Sequence, residues 1–190
     1  MSQLIGERWH RLSSRLVYKS KYIIVHLDDV KLPDGTIIQY TRVDYLPFVV
    51  VVPTILDKIV MIYNYRYPVD EWCLELPSGH IDNGESPQET ASRELEEETG
   101  YIAGELRMVG WYYPVSARSD QKSYVFIAEA SDGGNTKRDR SELQKVIVLP
   151  KNTAYQKLYE GEIKHAASIA ALAMSQPLLY KHNLNGKTGI

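Results

Sequence analysis

Short apolar runs separated by polar turns dominate the first half of the chain. Tyr22 to Val30 is rich in β-branched and apolar side chains, Leu32-Pro33-Asp34-Gly35 supplies a turn, and Thr36 to Val43 runs back, which predicts a hairpin. Phe48 to Val52 is apolar at every position, the pattern of a strand buried on both faces. A further strand is predicted at Lys58 to Tyr65, after the turn at Leu56-Asp57. The pattern then changes to a helical one. Ser86 is a good N-cap, Pro87 suits the first helical position, Glu89 completes a capping box, and Gly100 supplies the residue that ends the helix. Ala91 and Leu95, four apart, mark the stripe to be buried. Strands are predicted again at Met108 to Tyr113, Tyr124 to Ala130 and Leu143 to Leu149, with a polar loop at Ser131 to Ser141. A helical region is expected from Thr153 towards Gln176, with Ile163, Ala166, Ala170 and Ala173 at helical spacing, followed by a loose tail over Lys181 to Ile190.

This order of strands, helix, strands and helices predicts an α+β or α/β sandwich with a mixed sheet. Residues 1–45 are expected to form a separate small antiparallel sheet that needs a partner surface, with the main domain over 46–180 and the tail over 181–190. At 190 residues and 44% hydrophobic content the chain has enough side chains for a full core without disulfides. The single Cys73 fits a reducing compartment, and its place in Trp72-Cys73-Leu74 reads as a packed core thiol rather than a nucleophile. The formal charge of −2 does not point to nucleic acid or an acidic membrane. With no signal-like N-terminus and no long apolar segment, a cytoplasmic protein is expected.

The chemistry concentrates in Gly79 to Tyr101, GHIDNGESPQETASRELEEETGY. Glu94, Glu97 and Glu98 stand at i,i+3 and i,i+4 spacing and share one face of the predicted helix. Like charges this close repel and weaken the helix, and a cation relieves the repulsion. Carboxylate-only ligation suits a hard ion, Mg²⁺ or Mn²⁺, rather than Zn²⁺. A solvated acidic face is the competing explanation for a bare Glu-x-x-Glu-Glu. Here a loop carrying Gly79 and Gly84 leads into the helix, and Glu85 and Arg93 stand at fixed distances in the same register.

The positions Gly-x5-Glu-x7-Arg-Glu-Leu-x-Glu-Glu-x-Gly-Tyr resemble the Nudix signature, with Tyr101 where an aliphatic is usual. The resemblance implies an α/β/α sandwich and metal-dependent cleavage of a diphosphate bond. It implies that Glu94, Glu97 and Glu98 bind metal and that the Ser78 backbone carbonyl adds a ligand. Gly79, Glu85, Arg93 and Gly100 become structural parts of the motif, with Glu85 and Arg93 holding the loop against the helix.

Outside the motif, Asn64-Tyr65-Arg66-Tyr67-Pro68-Val69 and Leu74-Glu75-Leu76-Pro77-Ser78-Gly79 resemble the ADP-ribose pyrophosphatase and nucleoside-diphosphate-sugar branch of the family. The Leu32–Gly35 turn and Glu160-Gly161-Glu162-Ile163 are similar to that branch too, so the likeness covers roughly residues 15 to 175. It implies that Arg66 contacts the substrate diphosphate, with a salt bridge to Glu75 as the plainer alternative, and that Glu75 lies close to the substrate. It also implies a homodimer that exchanges the N-terminal sheet. Trp9, Tyr18, Tyr22 and Tyr40 then serve either as core or dimer packing or as stacking faces for a base. Glu142 in the late loop is the expected general base or extra metal ligand, with an ordinary surface glutamate as the alternative and Glu97 as the other candidate base. One stretch departs from the branch. Pro114 comes two positions early, with no following glycine and with Ser116 at the usual proline position, which leaves Arg118 to meet a phosphate or the sugar of a GDP- or ADP-hexose. The expected products are a nucleoside monophosphate and a sugar phosphate. A triphosphate or dinucleoside polyphosphate substrate and a non-catalytic nucleotide sensor remain as alternatives.

Overall fold

A computed structural model describes residues 6–136 and 144–180. The chain divides into two compact units, one holding residues up to Leu46 together with Val115–Gln121, the other Pro47–Pro114 and the residues from Lys122 on.

The first unit is a three-stranded antiparallel sheet of β1 (His10–Lys19), β2 (Ile23–Lys31) and β3 (Ile37–Tyr45), with β2 in the middle. The predicted hairpin is β2 and β3. Its turn closes through Leu32 N–H to the Thr36 carbonyl at 2.8 Å, with Gly35 at φ 87°, where a Cβ would be strained. The strand β1 was not foreseen, because two register shifts, at Arg11/Ser13 and at Leu16/Tyr18, break its alternation. Residues 115–121 return to this unit: Val43 N–H donates to the Arg118 carbonyl at 2.8 Å, and the Tyr40 hydroxyl donates to the Ala117 carbonyl. The boundary expected at residue 45 is therefore not the only crossing between the units.

The second unit is built on a mixed sheet of β4 (Phe48–Ile55), β5 (Lys58–Arg66), β6 (Glu71–Glu75), β7 (Ser78–His80), β8 (Tyr101–Tyr112), β9 (Ser123–Asp132) and β10 (Gln144–Pro150). The order is β10-β5-β4-β9-β8, with β6 on β5 and β7 on β4, and only the β4–β9 pairing is parallel. The helices are α1 (Pro87–Thr99), α2 (Lys151–Tyr159) and α3 (Ala166–Leu179). The continuous apolar run in β4 is explained by two cores. Val50 and Val52 face Tyr155, Ile163, Ala171 and Leu172 from the α2–α3 side, while Val49 and Val51 face Ala91 and Leu95 of α1. This is the expected α/β/α sandwich.

Two expectations are corrected. The C-terminal helical region is two helices, because Gly161 at φ 75° ends α2, with Gly161 and Glu162 N–H capping the Leu158 and Lys157 carbonyls. The buried face of α3 is Ser168, Ala171, Leu172 and Ser175; Ala166 and Ala173 are exposed, and Ile163 packs into the core from the connection.

The pairing of β4 explains where the sheet opens. β4 pairs with β5 only at the hairpin end, Thr54↔Ile59 and Ile55↔Lys58. At its other end β4 pairs with β7 through Phe48, Val49 and Val50, while β5 runs on along β6 to Arg66. Between these diverging pairs a cavity is left.

Candidate active site

Helix α1 is held in register at both ends. Ser86 Oγ accepts from Glu89 N–H at 3.2 Å, Glu89 Oε2 accepts from Ser86 N–H at 2.8 Å, and Gly100 closes the helix at φ 77°. The capping box and terminal glycine are those expected. So fixed, α1 presents its glutamates towards β7.

Arg93 organises the acidic cluster. Its Nε and Nη2 donate to Glu85 at 2.8 and 3.0 Å, while Nη1 reaches Glu94 at 2.8 Å and Glu97 at 3.0 Å. Thr90 Oγ1 adds a hydrogen bond to Glu85 at 2.8 Å. The Arg93 guanidinium holds the Glu85 carboxyl down at about 2, and the surrounding carboxylates push Arg93 up. Part of the repulsion that the sequence pattern assigned to a metal is thus relieved by Arg93 itself. The loop-to-helix clasp between Glu85 and Arg93 is present as a bidentate pair.

Glu98 is almost fully buried, and its Oε2 accepts from Ser78 N–H at 2.7 Å while Oε1 accepts from Gln144 Nε2 at 2.8 Å. A buried carboxylate needs such donors, and these tie α1 to β7 and β10. Gly79 lies against Glu94: a Cβ at residue 79 would overlap the Glu94 carboxylate. Together with Phe48, Arg66, His80, Asp82 and His165, the residues Ser78, Gly79, Arg93, Glu94 and Glu98 line a cavity of about 450 Å³. Glu97 does not line it, and stays on Arg93. Burial pushes the His80 imidazole down, against the opposing charge of Asp82.

Among the described residues, no three Asp, Glu, His or Cys side chains are gathered closely enough to hold an ion. The donor set nonetheless fits a hard divalent cation. Two carboxylates from one helix line the cavity beside a main chain stripped of Cβ at Gly79, and the buried Ser78 Oγ has no hydrogen-bond partner among the described residues.

Arg66 sits at the cavity wall. Its Nε and Nη2 donate to Glu75 at 2.8 and 2.6 Å, and Glu75 is fully buried at the end of β6. The salt bridge weighed from the sequence is therefore formed, and it fixes the guanidinium at the cavity edge. Arg118 lies in the first unit, 4.9 Å from the Tyr40 ring, and Trp9 meets Tyr40 edge-on at 5.9 Å. Trp9, Tyr18 and Tyr22 are more than half exposed. Cys73 is half-buried in β6 and lies outside both cores, so it is not the core thiol expected; burial pushes its thiol up. Glu142 lies outside the described residues. The sequence pattern missed His80, Asp82, Gln144 and His165. For Gln144 and His165, which lie far along the chain from the motif, no local signal exists, since they reach the site only through the β10–β5 pairing and the turn before α3.

The NUDIX domain family model matches residues 46–172, and a model described as nucleoside diphosphate sugar hydrolase N-terminal domain matches residues 9–43. The chain is 32% identical over 171 residues to CMP-5'-(N-acetyl-N-hydroxy-3-aminopropyl)phosphonate hydrolase of Streptomyces rubellomurinus, covering 88% of this chain and 82% of that one. It is 31% identical over 169 residues to ADP-ribose pyrophosphatase of Bacillus subtilis, covering 87% and 91%. The crystal structure of an ADP compounds hydrolase shares the fold at a TM-score of 0.83 and 23% identity, over 93% of this chain and 97% of that one. With the domain match spanning most of the chain and the signature residues clasped around one cavity, this chain belongs to the Nudix family.

Proposed function

We propose that this chain hydrolyses the diphosphate bond of a nucleoside diphosphate sugar, ADP-ribose or a related compound, to a nucleoside monophosphate and a sugar phosphate. The observation that carries this is the meeting of Glu94 and Glu98 with Ser78 and Gly79 on one cavity that Arg66 also lines. Relatives named for ADP-ribose and for a CMP-phosphonate match this chain over most of its length, so the likeness supports a nucleoside diphosphate type of ligand more strongly than any one base.

We assign Mg²⁺, with Mn²⁺ as substitute, to Glu94, Glu98 and the Ser78 carbonyl, with Glu97 joining on release from Arg93. Bound there, the ion would neutralise diphosphate oxygens and lower the pKa of an attacking water. The chain's own residues supply positioning. Ser78 N–H and Gln144 hold the Glu98 carboxylate in place, Gly79 leaves room for Glu94, and Arg93 limits the repulsion among the acids. Arg66, pinned by buried Glu75, offers a rigid guanidinium suited to a phosphate oxygen. Such pre-set geometry lowers the entropic cost of the reaction. Glu142 is assigned as general base, with Glu97 as the alternative. We further assign a homodimer through the N-terminal sheet and a cytoplasmic location.

The test is a panel of nucleotide sugars incubated with Mg²⁺ and, separately, with Mn²⁺, read by phosphatase-coupled phosphate release. Turnover of at least one is expected, and silence across the panel defeats the proposal. Glu98→Gln is expected to lower kcat at least about a hundredfold with the thermal transition retained, since it weakens the hold on the ion that would stabilise the developing charge. A near-normal rate in that variant removes Glu98 from the metal set.

A further inference from the structure

A second cavity of about 440 Å³ adjoins the first, and Arg66 and His165 line both. Its other walls are Pro68, Val69, Glu71, Cys73, Glu75, Lys164 and Ala166. Among the described residues no Phe, Tyr or Trp lines it, and the one aromatic ring it offers is the His165 imidazole. What it offers is charged groups set among apolar ones: the buried Glu75 held by Arg66, and Glu71 paired with Lys164 at 2.8 Å. That mixture suits a ring carrying hydroxyl groups, whose edges need donors and acceptors.

His165, at the divide, has its protonation state set from behind. Ser168 Oγ is fully buried and accepts from Leu76 N–H at 2.8 Å. Its hydroxyl hydrogen then has one partner among the described residues, His165 Nδ1 at 2.9 Å. If Nδ1 carried the proton instead, a buried hydroxyl would be left without an acceptor, which buried polar groups rarely tolerate. The network therefore assigns Nδ1 as acceptor and places the proton on Nε2. Glu75 Oε2 lies 3.7 Å from Nδ1, beyond hydrogen-bond reach, and is already engaged by Arg66. The groups facing the ring are Glu75, Arg66 and, on its own segment, Lys164. Burial pushes His165 down, Arg66 acts in the same sense, and Glu75 opposes them. Nε2 has no hydrogen-bond partner among the described residues and is not among the fully buried unpaired atoms.

We propose that this second cavity receives the sugar ring of the substrate, on the far side of the diphosphate from the nucleoside, and that the neutral His165 ring donates its Nε2–H to a sugar hydroxyl. This rests on the nucleotide-sugar assignment above. His165 is thus a specificity residue for the sugar and Ser168 a positioning residue that acts through it.

The test uses the full chain in a chelating buffer, where hydrolysis does not intervene, with ADP-ribose and ADP as probes in calorimetry. His165→Ala is expected to weaken ADP-ribose binding about tenfold and ADP binding less than twofold. His165→Gln, whose amide nitrogen stands near the Nε2 position, is expected to recover most of the loss. Long-range imidazole spectra of the ¹⁵N-labelled protein are expected to show His165 as the Nε2–H tautomer, with Ser168→Ala removing that preference while the fold is kept. Equal loss of ADP and ADP-ribose, unchanged ADP-ribose binding, an Nδ1–H tautomer, or no ADP-ribose binding by the native chain would each overturn the proposal. Binding that follows the expected pattern without turnover in Mg²⁺ would defeat the hydrolase assignment while upholding the sugar subsite.

Discussion

Gly79 matters for the atom it lacks. Its position in β7, opposite Val49, puts its missing Cβ where the Glu94 carboxylate sits. The clash that any side chain would cause falls on the far end of a flexible glutamate, so the backbone has no need to move. Gly79→Ala is therefore expected to leave the thermal transition within a few degrees, as for most changes that create no cavity and bury no charge. Turnover is expected to fall by at least about tenfold, because the proposed role of Glu94 as a metal ligand would not survive a displacement of about an ångström. Steady-state kinetics beside a melting curve checks both halves. A variant that melts early and keeps its rate would show that Gly79 serves the fold instead. At the same scale, Arg93 could not be read from sequence beyond its clasp on Glu85. Its Nη1 also reaches Glu94 and Glu97, a choice set by side-chain geometry rather than by spacing.

At the level of elements, the loop before α1 is tied to the helix by Glu85, and this tie has a pH signature. The carboxyl sits at about 2 in the folded chain against an ordinary value of 4.5, first through its hydrogen bonds from Arg93 and then from Thr90. Between those values the unfolded chain binds the proton that the folded chain refuses, so stability rises with pH. The contribution is whole above about pH 4.5 and disappears as pH falls through about 2. Glu85→Gln is expected to lower the melting temperature at pH 6, with the gap from the native chain narrowing below pH 4.5 and closing near pH 2. Both side chains are about a quarter exposed, so salt should reduce the gap without abolishing it. A gap of constant size across that range would show that the clasp is not what Glu85 contributes. The elements easiest to foresee were those with local signals: α1 with its box and glycine, and β4 with its unbroken apolar run. β6 and β7 were not foreseen, since five and three residues are too few for a period to show. The break between α2 and α3 was hidden because Ile163 continues the helical spacing of apolar residues while packing from a turn.

On the scale of the whole molecule, β1 is the element that the described chain leaves least satisfied. All ten of its residues are exposed, it forms an edge of its sheet, and Leu12, Leu16, Val17 and Tyr18 are each exposed by 53–54%. Single exposed apolar side chains are ordinary, but a run of them on a strand edge is a pairing surface. Each is already about half covered, so burying the rest of these four on both of two chains would contribute roughly 6–12 kcal/mol, at about half of 1.5–3 kcal/mol each. Association itself costs about 4–15 kcal/mol, a range that overlaps this gain, so β1 side chains alone leave little margin for holding two chains together. Trp9, Tyr22 and the open backbone edge of β1 are the further surface that a dimer is expected to use. A dimer is accordingly expected, with a light-scattering mass twice the 21.7 kDa of the chain. The pair Leu16→Lys and Tyr18→Lys, which places two charges on this surface without touching the second unit's core, is expected to shift the mass to that of one chain while circular dichroism stays native-like. A native chain that already runs as a monomer at micromolar concentration, or a doubly substituted one that remains a dimer, would remove β1 from the interface and leave its apolar surface to some other partner.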